Sequence, residues 1–196
     1  MRIRTVRSFA VLASVAMLVG AFAATPAEAK KKKKKKAPAA CATYTPGEKG
    51  AGQPVATVTD AATAEAPVEV TVATDPGFGF SSEEGEGNPD EIASSHAYAN
   101  LQVDSANPSA GLHVQIEFAP EWDYDLHLRD SGGTSIEYSA GFGVVPSGTD
   151  HSHTDLGVEA LLGLPVPDCA GYTVDVVGAA TAGGDVIVKA WLGEVV

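Results

Sequence analysis

The densest group of side chains able to do chemistry lies in the segment SSEEGEGNPDE, residues 81–91. Five carboxylates fall within nine residues: Glu83, Glu84, Glu86, Asp90 and Glu91. Calcium takes about six to eight oxygen ligands, and Gly85, Gly87 and the extra oxygen of Asn88 suit a loop that wraps such an ion. The segment therefore predicts a calcium site with the ligands Glu84, Glu86 and Asp90. The alternative is a solvated acidic loop, because the EF-hand pattern is absent.

Asp123 and Asp125 form a second group, since side chains at positions i and i+2 of a strand share one face. They alternate with apolar residues in the segment WDYDLHLRD, residues 122–130. Two carboxylates on one face predict additional calcium ligands, if that face lies beside residues 81–91, or an acid–base pair. The alternative is the solvent-facing side of an ordinary half-buried strand.

A third group is the segment DHSHTD, residues 150–155, in which His151 and His153 project to one side if the chain is extended. Two imidazoles and the Asp155 carboxylate are the ligand types that hold zinc or copper. A catalytic zinc site needs a third protein ligand, and the sequence contains no HExxH motif. The segment predicts either a secreted metal-dependent hydrolase or, as the alternative, a polar loop.

The sequence contains no motif of the other catalytic classes. The G-x-S-x-G nucleophile elbow is absent, and GFGFSS lacks the lysine of a phosphate-binding loop. Trp122 and Trp191 fall in strand patterns typical of a core, which disfavours a lectin. We therefore expect a protein that is not an enzyme, which binds an unidentified protein or polysaccharide.

A run of seven consecutive lysines precedes a strongly acidic body. The run consists of Lys30, Lys31, Lys32, Lys33, Lys34, Lys35 and Lys36. Beyond it, three basic residues stand against 24 acidic ones, so the body should repel nucleic acid. Seven adjacent like charges must be solvated and extended. We predict a disordered arm that tethers the protein to an anionic cell-envelope polymer; the alternatives are association with the protein's own acidic body and a simple spacer.

Residues 1–29 have the order of a secretory signal peptide. Arg2, Arg4 and Arg7 precede the apolar run 9–24, and Ala27-Glu28-Ala29 matches an A-x-A cleavage site. The apolar run is shorter than the roughly 20 residues of a membrane-spanning helix. The pattern predicts cleavage after Ala29, secretion or display at the cell surface, and no transmembrane segment.

Cys41 and Cys169 are the two cysteines of the chain. Export implies an oxidising compartment, in which an even cysteine count usually means disulfides. We therefore predict a Cys41–Cys169 disulfide, the alternative being two free buried thiols.

Residues 68–196 predict the folded domain, because apolar side chains recur at every second position. The alternating segments are VEVTVAT, GLHVQIEF, WDYDLHLRD, GYTVDVVG and GDVIVKAWLG. Turn-rich segments separate them, and this pattern is typical of an all-β antiparallel sandwich. Residues 30–67, rich in Pro, Ala, Gly and Thr, predict an extended tail and linker. Periodicity does not decide whether HTDLGVEALLGL forms a helical turn or a buried strand.

The run from Trp122 to Gly133 resembles the core hairpin of bacterial pre-peptidase C-terminal domains, which typically carry D-x-D-L-x-L-x-D-x-x-G. AGYTVDVVG, residues 170–178, is similar to a later glycine–tyrosine strand of that family. The resemblance spans about residues 92–193. It implies a jelly-roll-like, non-enzymatic module of secreted proteins that sometimes binds calcium near its N-terminal edge. Residues 141–160 look like an insertion. No protease segment accompanies the module, so an accessory or inhibitor of a separate protease is a further alternative.

Overall fold

The computed structural model describes residues 41–78, 95–142, 145–148 and 151–196. These residues contain twelve strands and no helix. The strands are β1 (Val55–Thr59), β2 (Val68–Thr74), β3 (Gly77–Phe78), β4 (Ser95–Asp104), β5 (Gly111–Glu117), β6 (Asp123–Arg129), β7 (Ser135–Phe142), β8 (Val145–Gly148), β9 (Ser152–Asp155), β10 (Val158–Pro165), β11 (Gly171–Thr181) and β12 (Gly184–Gly193).

The strands form two sheets that pack face to face. One sheet has the order β1-β4-β11-β6-β7-β8, with β3 beside β11, and the other has the order β2-β12-β5-β10-β9. All neighbouring strands are antiparallel except β1 and β4, which run parallel. The predicted all-β antiparallel sandwich is therefore confirmed. No helix in the described part of the chain is long and apolar enough to span a membrane.

The alternating segments supply the core between the two sheets. Leu112, Val114 and Ile116 of β5 are fully buried, and Val188 and Ala190 of β12 lie beside them. The opposing sheet contributes one face of β4, β6 and β11. Strand propensity and burial agree along these segments, so the period of two that is visible in the sequence fixes which face points inward.

The sequence predicted a linker over residues 30–67, but the folded body begins within that range. Residues 55–59 form β1, which pairs in register with Asn100–Asp104 of β4, and Val58 is 0% exposed. The described residues from Cys41 onward belong to one compact unit. The composition of the segment suggested an extended tail. Pairing with a strand at the sheet edge buries part of it, and composition alone does not indicate that burial.

The predicted Cys41–Cys169 disulfide is present, with an S–S distance of 2.02 Å and a Cα–Cα distance of 5.3 Å. It holds the first described residues against the start of β11. Next to it, the Tyr44 amide donates to Gln102 Oε1 at 3.1 Å, and Gln102 Nε2 donates to the Ala42 carbonyl at 2.7 Å. Residues 41–53 are thereby fixed on the outer face of the β4–β11 pair.

The undecided segment HTDLGVEALLGL resolves into strands rather than a helical turn. β9 and β10 pair as a hairpin in which Asp155 lies opposite Val158. Gly157 occupies the turn with φ of 75°, a left-handed conformation that favours glycine. A Cβ at this position would also lie 2.7 Å from the Phe118 carbonyl oxygen, so the turn needs glycine for space as well as for conformation.

Three groups of predicted residues lie outside the described part of the chain, so their predictions stay predictions. One is the signal segment 1–29, and another is the acidic segment 83–91 with its proposed ligands Glu84, Glu86 and Asp90. The third is the lysine arm, made up of Lys30, Lys31, Lys32, Lys33, Lys34, Lys35 and Lys36.

Candidate functional site

A cavity of about 120 Å³ opens at the end of the sandwich where β6 and β10 begin. Its walls come from the β5–β6 connection, the first residue of β6, the β9–β10 hairpin and the end of β11. The lining residues are Phe118, Pro120, Glu121, Trp122, Asp123, Asp155, Leu156, Gly157, Glu159 and Ala180. Four of them are carboxylates and two are aromatic, so the cavity combines apolar walls with concentrated negative charge.

Local hydrogen bonds shape the β5–β6 side of the cavity. The Trp122 amide donates to the Ala119 carbonyl at 3.0 Å and closes a turn, while the Phe118 amide donates to the Gly157 carbonyl at 2.9 Å. The Phe118 ring packs against Tyr124 with the centroids 5.0 Å apart. Trp122 is half-buried and packs against the core, as its strand pattern predicted, but it also borders the cavity.

Glu159 is the most deeply buried carboxylate of the cavity, at 1% exposed. It pairs with Ile116 of β5 and shares a face of β10 with Leu161, two residues further on. Both are core residues, so the Glu159 side chain points between the sheets. Its Oε2 atom lies 2.5 Å from Ser139 Oγ and 2.9 Å from Thr154 Oγ1. Ser139 belongs to β7, so Glu159 links the two sheets.

Burial raises the pKa of Glu159 to about 8, because the ionised carboxylate loses its hydration in the core. The Ser139 and Thr154 hydroxyls act in the opposite direction, and the negative charges of Asp125 and Asp123 raise the pKa further. At pH 7 Glu159 is therefore mostly a neutral carboxylic acid. In that form it donates to Ser139 Oγ, which donates onward to the His153 carbonyl oxygen at 3.2 Å.

A chain of buried hydroxyls lies near the cavity. Tyr124 Oη is 2.7 Å from Thr74 Oγ1 and 2.6 Å from Thr181 Oγ1, and Thr74 Oγ1 donates to the Gly184 carbonyl at 3.0 Å. These bonds join β2 and β12 of one sheet to β6 and β11 of the other. They hold the strand ends that frame the cavity in fixed positions.

The predicted pair Asp123 and Asp125 lies at the start of β6, and both carboxylates raise the pKa of Glu159. Asp123 lines the cavity, whereas Asp125 is buried at 6% exposed, so it is not a solvent-facing strand residue. Ala180 of β11 pairs with Asp123 on one side and with Phe78 on the other. Asp123 thus lies two strands from β3, the last described strand before the acidic segment.

The predicted transition-metal residues are spread along β9 and the residue before it. His151 Nδ1 lies 3.1 Å from the Leu162 carbonyl oxygen, His153 is exposed, and Asp155 is exposed at the rim of the cavity. The structure does not bring the three together. Among the described residues, the only three ligand-type side chains with ligand atoms within 4.8 Å are Cys41, Asp168 and Cys169, and these sulfurs are tied up in the disulfide.

A second polar cluster, which the sequence did not reveal, lies on the outer face of β11. Asp175 is 0% exposed, with Oδ2 2.8 Å from Arg129 Nε and 2.7 Å from its second terminal nitrogen. Its Oδ1 lies 2.8 Å from His96 Nδ1. The carboxylate is shared by side chains from the strands on both sides, which is the geometry of a structural ion pair.

Sequence reasoning also missed Glu159 and the cavity around it. The available signal was a glutamate in the otherwise apolar run VEALLGL, two residues before the core-facing Leu161 and therefore on the same strand face. Comparison of the chain with protein-family models and with curated proteins finds no match.

Proposed function

We propose that this protein is an exported, non-catalytic binding module whose cavity accepts a small organic cation, such as the ammonium head of a larger ligand. The observation that carries this proposal is the joining of Trp122 and Phe118 with four carboxylates around one cavity, Glu159 at its buried end.

The chemistry of the lining favours a cation over an anion or a neutral sugar. An ammonium group gains from an aromatic face and from unscreened carboxylates in a partly dry site. The volume of about 120 Å³ lies well below the roughly 300 Å³ at which pockets for whole drug-sized ligands begin. The cavity therefore suits one functional group of a ligand rather than a complete substrate.

Catalysis has less support than binding. The described residues that line the cavity include no histidine, cysteine, serine or lysine, so mechanisms based on a hydroxyl, thiol, amine or imidazole group have no such group in place there. The hydrolase proposal that used His151 and His153 would need a third ligand, and the described residues do not place one beside them.

The remaining parts of the proposal rest on sequence. The signal-like segment 1–29 supports export, and the lysine arm supports attachment to an anionic envelope polymer. Kinship with pre-peptidase C-terminal domains rests on the hairpin residues 122–133. Calcium held by residues 84–90 with Asp123 is a second ligand proposal, because Asp123 lies two strands from the end of β3.

The test is isothermal titration calorimetry of the protein at about pH 7.4 with n-butylammonium and, separately, with calcium. We expect the ammonium to bind and protons to be released, since an entering cation favours the ionised form of Glu159. Repeating the titration in buffers of different ionisation enthalpy measures that release.

Glu159→Gln should bind at least about tenfold more weakly and release no protons. Glu48→Gln makes the same substitution on the exposed segment before β1 and should match the wild type. Equal binding by wild type and Glu159→Gln would contradict the proposal. Calcium binding without ammonium binding would favour the second ligand.

A further inference from the structure

β2 is an edge strand of its sheet. It pairs with β12 along its whole length, from Val68 to Thr74. Within the described part of the chain, no strand pairs with β2 on its other side. That edge presents a row of backbone donors and acceptors to a potential partner.

The neighbouring sheet leaves room beside this edge, because β1 stops short of it. Pro54 directly precedes β1 and has no amide to donate, so it ends the parallel pairing with β4. Asn100 Nδ2 donates to the carbonyls of Gly50 at 2.8 Å and Gln53 at 3.1 Å, which turns the incoming segment onto the outer face of its sheet. These two hydrogen bonds therefore keep the incoming segment out of the space that continues the line of β1.

A groove of about 370 Å³ occupies this space, with Gln53 and Pro54 at one end. Its walls are residues 70–73 of β2 and residues 96–99 of β4. Val70, Val72, Ala97 and Ala99 turn their side chains toward the core here, and the two alanines leave space beside the valines. The groove therefore joins an open strand edge to a lining in which these apolar side chains alternate with Thr71, His96 and Tyr98.

We propose that this groove binds an extended segment of a partner protein, which adds a strand to the outer edge of β2. Main-chain hydrogen bonds to β2 supply affinity, as in other cases of strand addition. Every second residue of the segment points inward, toward Val70, Val72, Ala97 and Ala99, and must be apolar. The added strand extends the core at the point where β1 stops.

Charge selects the kind of partner. Glu69, Asp75 and Asp185 lie in or beside β2 and its pairing partner β12, and all three are exposed. A partner segment with basic flanking residues complements them. A second copy of this chain is disfavoured because its body is equally acidic, with 24 acidic residues against three basic ones after the lysine arm.

The experiment is a titration of isotope-labelled full-length mature protein with the synthetic peptide Lys-Val-Thr-Val-Thr-Val-Lys, followed by nuclear magnetic resonance. We expect chemical-shift changes confined to β2 and the first half of β4. Amides of β2 that face away from β12 should exchange more slowly with solvent. A peptide N-methylated at every second residue keeps its side chains but loses edge hydrogen bonds, and should bind at least about tenfold more weakly.

Ala97→Lys places a charge inside the groove and should weaken binding of the basic peptide to a similar degree. Thr134→Lys adds the same charge in the exposed turn between β6 and β7 and is the matched control. The peptide comparison remains decisive if Ala97→Lys fails to fold. Equal binding of both peptides, shifts centred elsewhere, self-association through the groove, or no binding at about 1 mM peptide would each overturn the proposal.

Discussion

Ser139 of one sheet and Glu159 of the other face each other across the sandwich interior, with Oγ and Oε2 2.5 Å apart. Ser139 is 0% exposed and Glu159 is 1% exposed, so the contact is a polar bridge inside an apolar core. A buried carboxyl group is costly in its ionised form and inexpensive as a neutral acid with hydrogen-bond partners. The bridge makes the stability of the fold depend on pH.

Stability should fall as the pH rises, because folding raises the pKa of Glu159 from 4.5 to about 8. Below pH 4.5 both folded and unfolded states hold the proton; between 4.5 and 8 the unfolded state releases it first and is favoured. Glu159→Gln removes this titration and keeps a neutral side chain of similar shape that can both donate and accept hydrogen bonds. We expect the variant to exceed the wild type by about 3–5 kcal/mol above about pH 8, and to match it near pH ~4.

The measurement is urea unfolding of both proteins at a series of pH values from about 4 to about 9. Glu48→Gln, on the exposed segment, should follow the wild-type curve throughout. Parallel pH profiles for wild type and Glu159→Gln would show that Glu159 is ionised in the folded protein at neutral pH, against our expectation.

Asp175→Asn should destabilise the fold by about 3–5 kcal/mol, because it leaves the buried Arg129 guanidinium without its counter-charge. The matched control is Glu69→Gln, which removes an exposed carboxylate 3.8 Å from Lys189 Nζ and should cost at most about 1 kcal/mol. Urea unfolding at neutral pH measures both. Equal losses for the two variants would contradict a special role for the Arg129–Asp175 pair.

The sequence predicted the sandwich because its apolar residues repeat with a period of two, as in GLHVQIEF, and burial follows that period directly. It did not predict β1, since VATVT stands in a segment whose composition is that of a linker; pairing with β4 creates its burial. Local pattern cannot show a contact that only the tertiary fold brings about.

The candidate site was less accessible to sequence reasoning for the same reason. Asp123 was singled out and does line the cavity, but Glu159 was hidden in an apolar run, and Trp122 was assigned to the core alone. These residues meet only because the β5–β6 connection lies against the β9–β10 turn. The predicted metal site required the ligand atoms of His151, His153 and a nearby carboxylate to meet at one point. These residues are instead spaced along one extended segment, and the described structure does not bring them together.

Removing the disulfide by Cys41→Ser and Cys169→Ser together should lower stability by about 2–5 kcal/mol, since the crosslink joins residues 128 positions apart. We also expect residues 41–53 to loosen, because hydrogen bonds from Tyr44 and to Gly50 then hold them without the crosslink. Hydrogen exchange measures the loosening and urea unfolding the stability. Unchanged exchange over residues 42–53 in the double variant would show that the hydrogen bonds suffice.

Replacing the whole lysine arm by serines should abolish co-sedimentation of the mature protein with cell envelopes of its producer. Each lysine near an anionic surface contributes about 1 kcal/mol, and salt screens that attraction. The wild type should therefore pellet in low salt and be released as salt rises. An arginine-for-lysine version keeps the charge and should still pellet, which separates charge from lysine-specific recognition.

If wild type and serine variant both stay in solution, the lysines are a spacer. If only the wild type expands in hydrodynamic radius as salt rises, the arm binds the acidic body instead of an envelope polymer.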